Sequence, residues 1–170
     1  MQTLRMAVLL TVVPAMLGAQ SPARKPMEGA WKVVEVVVTG AEAENNPSPQ
    51  PGLCIFGQRH YSMFRVPGAK PRTLYKGEEP TSEEKVKAFD SFIANTGTYE
   101  VSGSTITIRP IVARSPNFMA GGFSKYQFRV EGSNLWLTEK STDLNTRIGQ
   151  QVVPLSRPAS ETRLKLVRVE

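Results

Sequence analysis

Residues 28–38, EGAWKVVEVVV, constrain the fold more than any other stretch of this chain. β-Branched side chains lose rotamer freedom on a helix and pack well on a pleated surface, so the run reads as a strand. Alternation gives it two faces, Trp31, Val33, Glu35 and Val37 on one and Lys32, Val34, Val36 and Val38 on the other. Neither is purely polar. Residues 162–169, TRLKLVRV, alternate in the same way. A chain that enters and leaves its folded region on strands can pair the two and leave no open edge, which is how a β-barrel escapes edge-to-edge aggregation.

Most of the sequence in between carries strand signals. Residues 39–52, with Glu42, Glu44, Pro47, Pro49 and Pro51 and no periodicity, read as a connection. Residues 53–56 and 59–66 read as strands joined at Gly57-Gln58. On the second, Arg59, Tyr61, Met63 and Arg65 share one face and His60, Ser62, Phe64 and Val66 the other. Charges at both ends of the first set favour its facing water, with His60 inward, whereas Tyr61 and Met63 pull the other way. Residues 67–80 form a second loop. Thr81-Ser82-Glu83-Glu84 has the form of a capping box, and a helix is expected from about residue 82 to 94. Val86, Phe89 and Ile93 fall on one stripe of it with Phe92 alongside, placed to pack on the barrel's outside or across its mouth.

Residues 97–101 and 105–111 meet at Ser102-Gly103-Ser104, and residues 123–131 and 135–139 meet at Gly132-Ser133-Asn134. Alternation turns Tyr99 and Val101, Ile106 and Ile108, Tyr126, Phe128 and Val130, and Leu135 and Leu137 inward. Residues 114–122, RSPNFMAGG, read as an apolar loop packed on the rim through Phe118 and Met119, or as a lid over it. Residues 140–161 are polar and proline-punctuated, with a short strand at 150–153.

Gly29-Ala30-Trp31 resembles the G-x-W signature of the lipocalin-like (calycin) barrels, and Arg168 stands where that family carries its closing-strand arginine. The nearer resemblance is to the bacterial lipocalin-like domain family. Its blocks are matched in order by Pro51-Gly52-Leu53-Cys54-Ile55-Phe56, Arg59-His60-Tyr61-Ser62-Met63, Asn95-Thr96-Gly97-Thr98-Tyr99-Glu100-Val101 and Val130-Glu131-Gly132-Ser133-Asn134-Leu135-Trp136-Leu137. The resemblance spans residues 27–170 and implies that Arg168 stacks across Trp31 at the closed end of the barrel, a structural pair. Leu166 departs from the family, which has an aromatic two places before the arginine.

Residues 1–19 have a basic start at Arg5, an apolar run, Pro14 and small residues Gly18-Ala19, the pattern of a secretory signal peptide. Cleavage after Ala19 or after Ala23 fits. The apolar run is short of the roughly 20 residues a membrane span needs. Residues 20–26 read as a flexible lead-in and residues 27–170 as one barrel domain, periplasmic or extracellular. The formal charge of +6 is spread over strands and loops without a run of Lys or Arg, so it reads as a solvated surface and not as a nucleic-acid site. Cys54 is the only cysteine, so no intramolecular disulfide forms, and flanking Leu53 and Ile55 mark it as a buried small hydrophobe.

The inventory for chemistry is thin. His60 is the single histidine, which leaves no His-rich or Cys-rich metal site, and no phosphate-binding glycine motif occurs. The expectation is an all-β, lipocalin-like antiparallel up-and-down barrel of about eight strands with one short helix. Its cavity would bind a small hydrophobic molecule without catalysis and without a cofactor or metal. Glu35 and His60 would be its polar anchors, and Phe64, Tyr99, Ile106, Ile108, Phe118, Tyr126, Phe128, Leu135 and Leu137 its apolar lining. The protein would be a monomer or weak oligomer. Two alternatives are a calycin-type enzyme working through Glu35, His60 or Tyr99, and a filled barrel that recognises a partner by its surface.

Overall fold

The computed structural model describes residues 25–41 and 43–169. The strands along them are β1 Gly29–Gly40, β2 Glu44–Asn46, β3 Gly52–Phe56, β4 His60–Arg65, β5 Ile93–Ser102, β6 Thr105–Ala113, β7 Phe123–Glu131, β8 Asn134–Lys140, β9 Leu144–Ile148, β10 Gln151–Pro154 and β11 Ser160–Arg168. Helix α1 spans Ser82–Asp90 and the single turn α2 spans Pro116–Met119. The signal-peptide expectation for residues 1–19 lies outside the described residues. Among these residues no helix is long and apolar enough to cross a membrane.

Eight strands close into an antiparallel barrel in the ring order β1, β3, β4, β5, β6, β7, β8, β11. Ring order is chain order, so this is an up-and-down barrel, and the closing seam is the β1–β11 pair, from Trp31 opposite Arg168 to Gly40 opposite Ser160. Two of the hairpin turns place glycine at positive φ, Gly103 and Gly132 both at 56°, as a type II′ turn requires at its first central position. Gly97 serves a different need. A Cβ there would lie 2.0 Å from the Arg109 carbonyl oxygen, at the point where the β5–β6 register shifts, so only glycine admits so close an approach.

Four stretches depart from the sequence reading. Residues 39–52 contain β2, which pairs with the far end of β1 (Val36 opposite Asn46), and residues 140–161 contain β9 as well as β10, a hairpin added to β7 at Phe123 and Ser124. Strand β10 matches the short strand expected at 150–153, whereas backbone pairing at a rim needs no apolar alternation, so β2 and β9 do not announce themselves in hydropathy. Helix α1 ends at Asp90 and not near residue 94, because Ile93 and Ala94 pair with Arg65 and Phe64 as the start of β5. The Thr81 capping box is present in full. The helix buries none of its residues, and its Val86 and Phe89 remain 59 % and 50 % exposed. The stretch around Phe118, read as a loop, forms the turn α2, with the Ser115 hydroxyl accepting from the Phe118 N–H.

One end of the barrel is solid. Trp31, Met27, Ile106, Leu135 and Leu166 are fully buried there, with Phe56, Tyr61, Tyr99, Ile108 and Leu137 nearly so. The Trp31 Nε1–H donates to the Met27 carbonyl at 2.7 Å, and the Arg168 guanidinium stacks 4.1 Å from the Trp31 ring centre, as the resemblance implied. Arg168 also donates to the carbonyls of Glu28 (2.6 Å) and Pro26 (2.9 Å). Lys25, placed in the lead-in by the sequence reading, donates to the Gln58 carbonyl at 2.7 Å. Residues 25–28 thus cap this end.

Candidate functional site

The opposite half of the barrel is hollow. A cavity of about 330 Å³ is lined by the inward residues Cys54 of β3, Met63 and Arg65 of β4, Ile93 and Asn95 of β5, Tyr126 of β7, Glu139 of β8 and Thr162 and Leu164 of β11. Phe118 of α2, Leu144 and Thr146 of β9, and Leu155, Arg157, Arg114 and Ser115 from the rim complete it. The volume is at the lower end of the 300–1,000 Å³ typical of small-molecule sites. A smaller groove of about 140 Å³ adjoins it, shares Arg65 and Thr162, and runs under β2 past Val36, Val38, Glu44 and Asn46.

Strand geometry places each of these side chains, and it moves some of the expected ones. Between Val33 and Glu35 the β1–β11 register slips by one residue, a bulge that reverses which side faces in. Val36 then stands opposite Leu164 and Val38 opposite Thr162, inside, while Glu35 stands opposite Lys165 outside. Glu35 is therefore not a cavity anchor. On β4 the buried residues are Tyr61 and Met63 and the exposed ones His60 and Phe64, so His60 faces solvent. Two bulky apolar side chains outweighed the charges at the ends of that face, because Arg65 sits at the strand's end where its guanidinium reaches the barrel mouth. Phe64 is 49 % exposed and borders an apolar groove outside the wall with Leu53 and Phe92 as well as the cavity.

Of the other expected residues, Phe118 and Tyr126 line the cavity. Tyr99, Ile106, Ile108, Leu135 and Leu137 face inward but fill the solid end, and Phe128 packs against that core. The Tyr99 hydroxyl donates to the Gly57 carbonyl at 2.6 Å. Glu35, His60 and Tyr99, the groups an enzyme reading relied on, are thus not brought together: one is on the outer wall, one in solvent and one in the closed end.

Sequence reasoning passed over Met63, Arg65, Asn95, Glu139, Arg157 and Leu164. For Glu139 the signal was present: extending the inward set Leu135, Leu137 by two residues reaches it. Glu139 is 8 % exposed, accepts a hydrogen bond from the Ser124 hydroxyl, and has Arg157 Nη2 3.4 Å from its other oxygen. Arg114 is held by the Phe89 carbonyl at 2.9 Å and by Asp90 at 3.5 Å. Arg65 has no hydrogen-bond or ion-pair partner among the described residues. The Asn95 side-chain oxygen is buried without a donor.

The lining is mixed, with apolar Met63, Ile93, Phe118 and Leu164 beside polar Arg65, Asn95, Glu139 and Arg157. Burial pushes the Cys54 thiol up to about 12, with the Arg65 charge opposing, so this cysteine is a neutral hydrophobe and not a nucleophile. Burial, and then the nearby Glu139 carboxylate, hold the Tyr126 phenol well above its usual range, so it presents a neutral O–H. No cluster of three potential metal-ligating side chains occurs among the described residues. The arrangement can take up a small molecule that has both an apolar body and a polar group. No family model matches the chain, and no curated protein matches it.

Proposed function

We propose that this is an exported, lipocalin-like protein that binds a small, largely hydrophobic molecule in the open half of its barrel without catalysing a reaction. The observation carrying the proposal is the division of the interior. One half is packed to exclusion around Trp31 and Leu166, while the other leaves about 330 Å³ among Cys54, Met63, Ile93, Phe118 and Leu164. A core that only had to fold would gain by filling that space, since interiors otherwise pack at crystal-like density. Export rests on the signal-peptide pattern of residues 1–19.

Native mass spectrometry of the protein purified from its own host, followed by solvent extraction, tests the reading. A stoichiometric small molecule supports it, and the variant Leu164→Trp, which fills the cavity from β11, should lose that molecule while remaining folded. A bare protein mass together with no uptake of a panel of hydrophobic dyes would refute it.

A further inference from the structure

The cavity's charges are unevenly matched. Three arginines border it, Arg65, Arg114 and Arg157, against the single carboxylate Glu139. Arg114 is engaged by the end of α1, and Arg157 and Ser124 between them engage Glu139. That leaves Arg65 half-buried, with no acceptor for its guanidinium donors. No protein group among the described residues accepts from it and its nitrogens still meet water, since the only buried side-chain atoms without a partner there are on Tyr61 and Asn95. Its planar fork of N–H groups can exchange that water for a carboxylate in bidentate geometry. Position supports the same conclusion. Arg65 lies at the end of β4 and borders both the interior cavity and the groove beneath β2, at the junction between the apolar pocket and the barrel mouth. A ligand entering tail first would leave its head there.

We infer that the ligand is a monocarboxylate with an apolar body, its head on Arg65 and its tail against Met63, Ile93, Phe118 and Leu164. This rests on the binding reading above. Size narrows the class further. At about 30 Å³ per non-hydrogen atom, the share a water molecule takes in the liquid, a cavity of about 330 Å³ takes roughly eleven such atoms, the bulk of a medium-chain acid. The carboxylate would meet a cation that no described protein group pairs, so binding adds a charge-assisted contact at Arg65 to the burial of the tail.

Calorimetric titration of the purified protein, stripped of co-purified small molecules, with decanoate, 1-decanol, decylamine and decyl phosphate separates the possibilities. Decanoate should bind at least tenfold more tightly than decanol or decylamine. In Arg65→Met, checked for folding by circular dichroism, decanoate should weaken tenfold or more while decanol is unchanged or tighter. Arg65→Lys, which keeps the charge and loses the fork, should fall between them. Equal affinity for decanoate and decanol in the native protein, or a ratio unmoved by both Arg65 variants, would overturn the head-group assignment and leave cavity binding standing. Tighter binding of decyl phosphate would also overturn it, in favour of a phosphate head. No binding of any of the four would overturn the cavity reading itself.

Discussion

Replacing Arg168 with alanine should loosen the closed end of the barrel, and the structure gives the size of the effect. The guanidinium makes two hydrogen bonds to backbone carbonyls, Glu28 at 2.6 Å and Pro26 at 2.9 Å, and stacks 4.1 Å from the centre of the Trp31 ring. Hydrogen bonds from a charged donor contribute about 1.5–3 kcal/mol each and a partly desolvated cation–π contact about 1–2 kcal/mol. Because the Pro26 bond is exposed and the contacts are not additive, about 2–4 kcal/mol is the expected loss. With a urea m-value of about 2 kcal/mol/M, the midpoint should fall by about 1–2 M. Arg168→Lys keeps the charge but cannot bridge both carbonyls, so it should lose about half as much. The native spectrum gives a second readout. Trp31 is fully buried beneath residues 25–28, whose own Met27 is fully buried against it, so freeing that segment should shift the Trp31 emission to longer wavelength before global unfolding. Trp136 stays as a constant background on the outer wall, under the Arg129 guanidinium at 4.2 Å. A loss below about 0.5 kcal/mol at unchanged m would refute the claim that Arg168 holds this end shut. A lysine variant as stable as the native protein would refute the division between fork and charge.

Two further perturbations probe other parts of the fold. Cys54, Tyr61, Tyr99 and Tyr126 all have ionisation pushed upward by burial, Cys54 and Tyr99 to about 12, so each stays neutral in the fold where the unfolded chain would ionise. Their contribution is fully present below about pH 9 and is lost as the pH rises, at about 1.4 kcal/mol per group per pH unit beyond its unfolded value. Urea stability at pH 10.5 should therefore be about 2–4 kcal/mol below that at pH 8, and equal stabilities would contradict the buried placement of these groups. Thr81→Ala removes the hydroxyl that caps α1, which should cost the helix about 1 kcal/mol. Since α1 buries no residue, proteolysis near residues 82–90 should quicken while the global midpoint stays within about 0.3 kcal/mol of the native value, and a larger global shift would show that α1 is coupled to the barrel.

The barrel was legible because its main signals are periodic and local. Alternation in residues 105–111 and 123–131, and glycine-led turns between strands, depend only on side chains a few positions apart, and they located β5 to β8 to within a few residues. The end closure was legible through Trp31 and Arg168, since a stacked pair needs particular residue types at both ends of the seam. The helix end was not legible, because nothing in Ser91-Phe92-Ile93 says that β4 offers an unpaired edge to Ile93. Tertiary pairing overrides local helix signals in that way. The β2 strap and strand β9 were invisible for a related reason, although β10 was expected at 150–153: their contribution is backbone hydrogen bonding, to which polar residues such as Glu44, Asn45 and Asn46 are no obstacle.

The site was less legible than the fold because a cavity is defined by what does not fill it. Alternation says which side chains point inward, and it placed Tyr99, Ile106 and Leu135 correctly inside, but it cannot say that these meet one another at the solid end while Tyr126 and Phe118 face space. A single bulge was enough to turn Glu35 out and Val36 in, since strand periodicity is two and one extra residue inverts every side chain beyond it. On β4 the polar end of the inward face was read as evidence that the face meets water. The structure shows the opposite logic: Tyr61 and Met63 commit the face to the interior, and Arg65 follows them to the mouth, where a guanidinium can be inward and still partly hydrated. The same geometry leaves Arg65 without a protein acceptor. A charged residue two positions beyond a buried pair on a barrel strand is thus a place to look for the polar end of a ligand. Glu139, two positions beyond Leu137 on β8, is the acidic counterpart, already satisfied by Ser124 and Arg157.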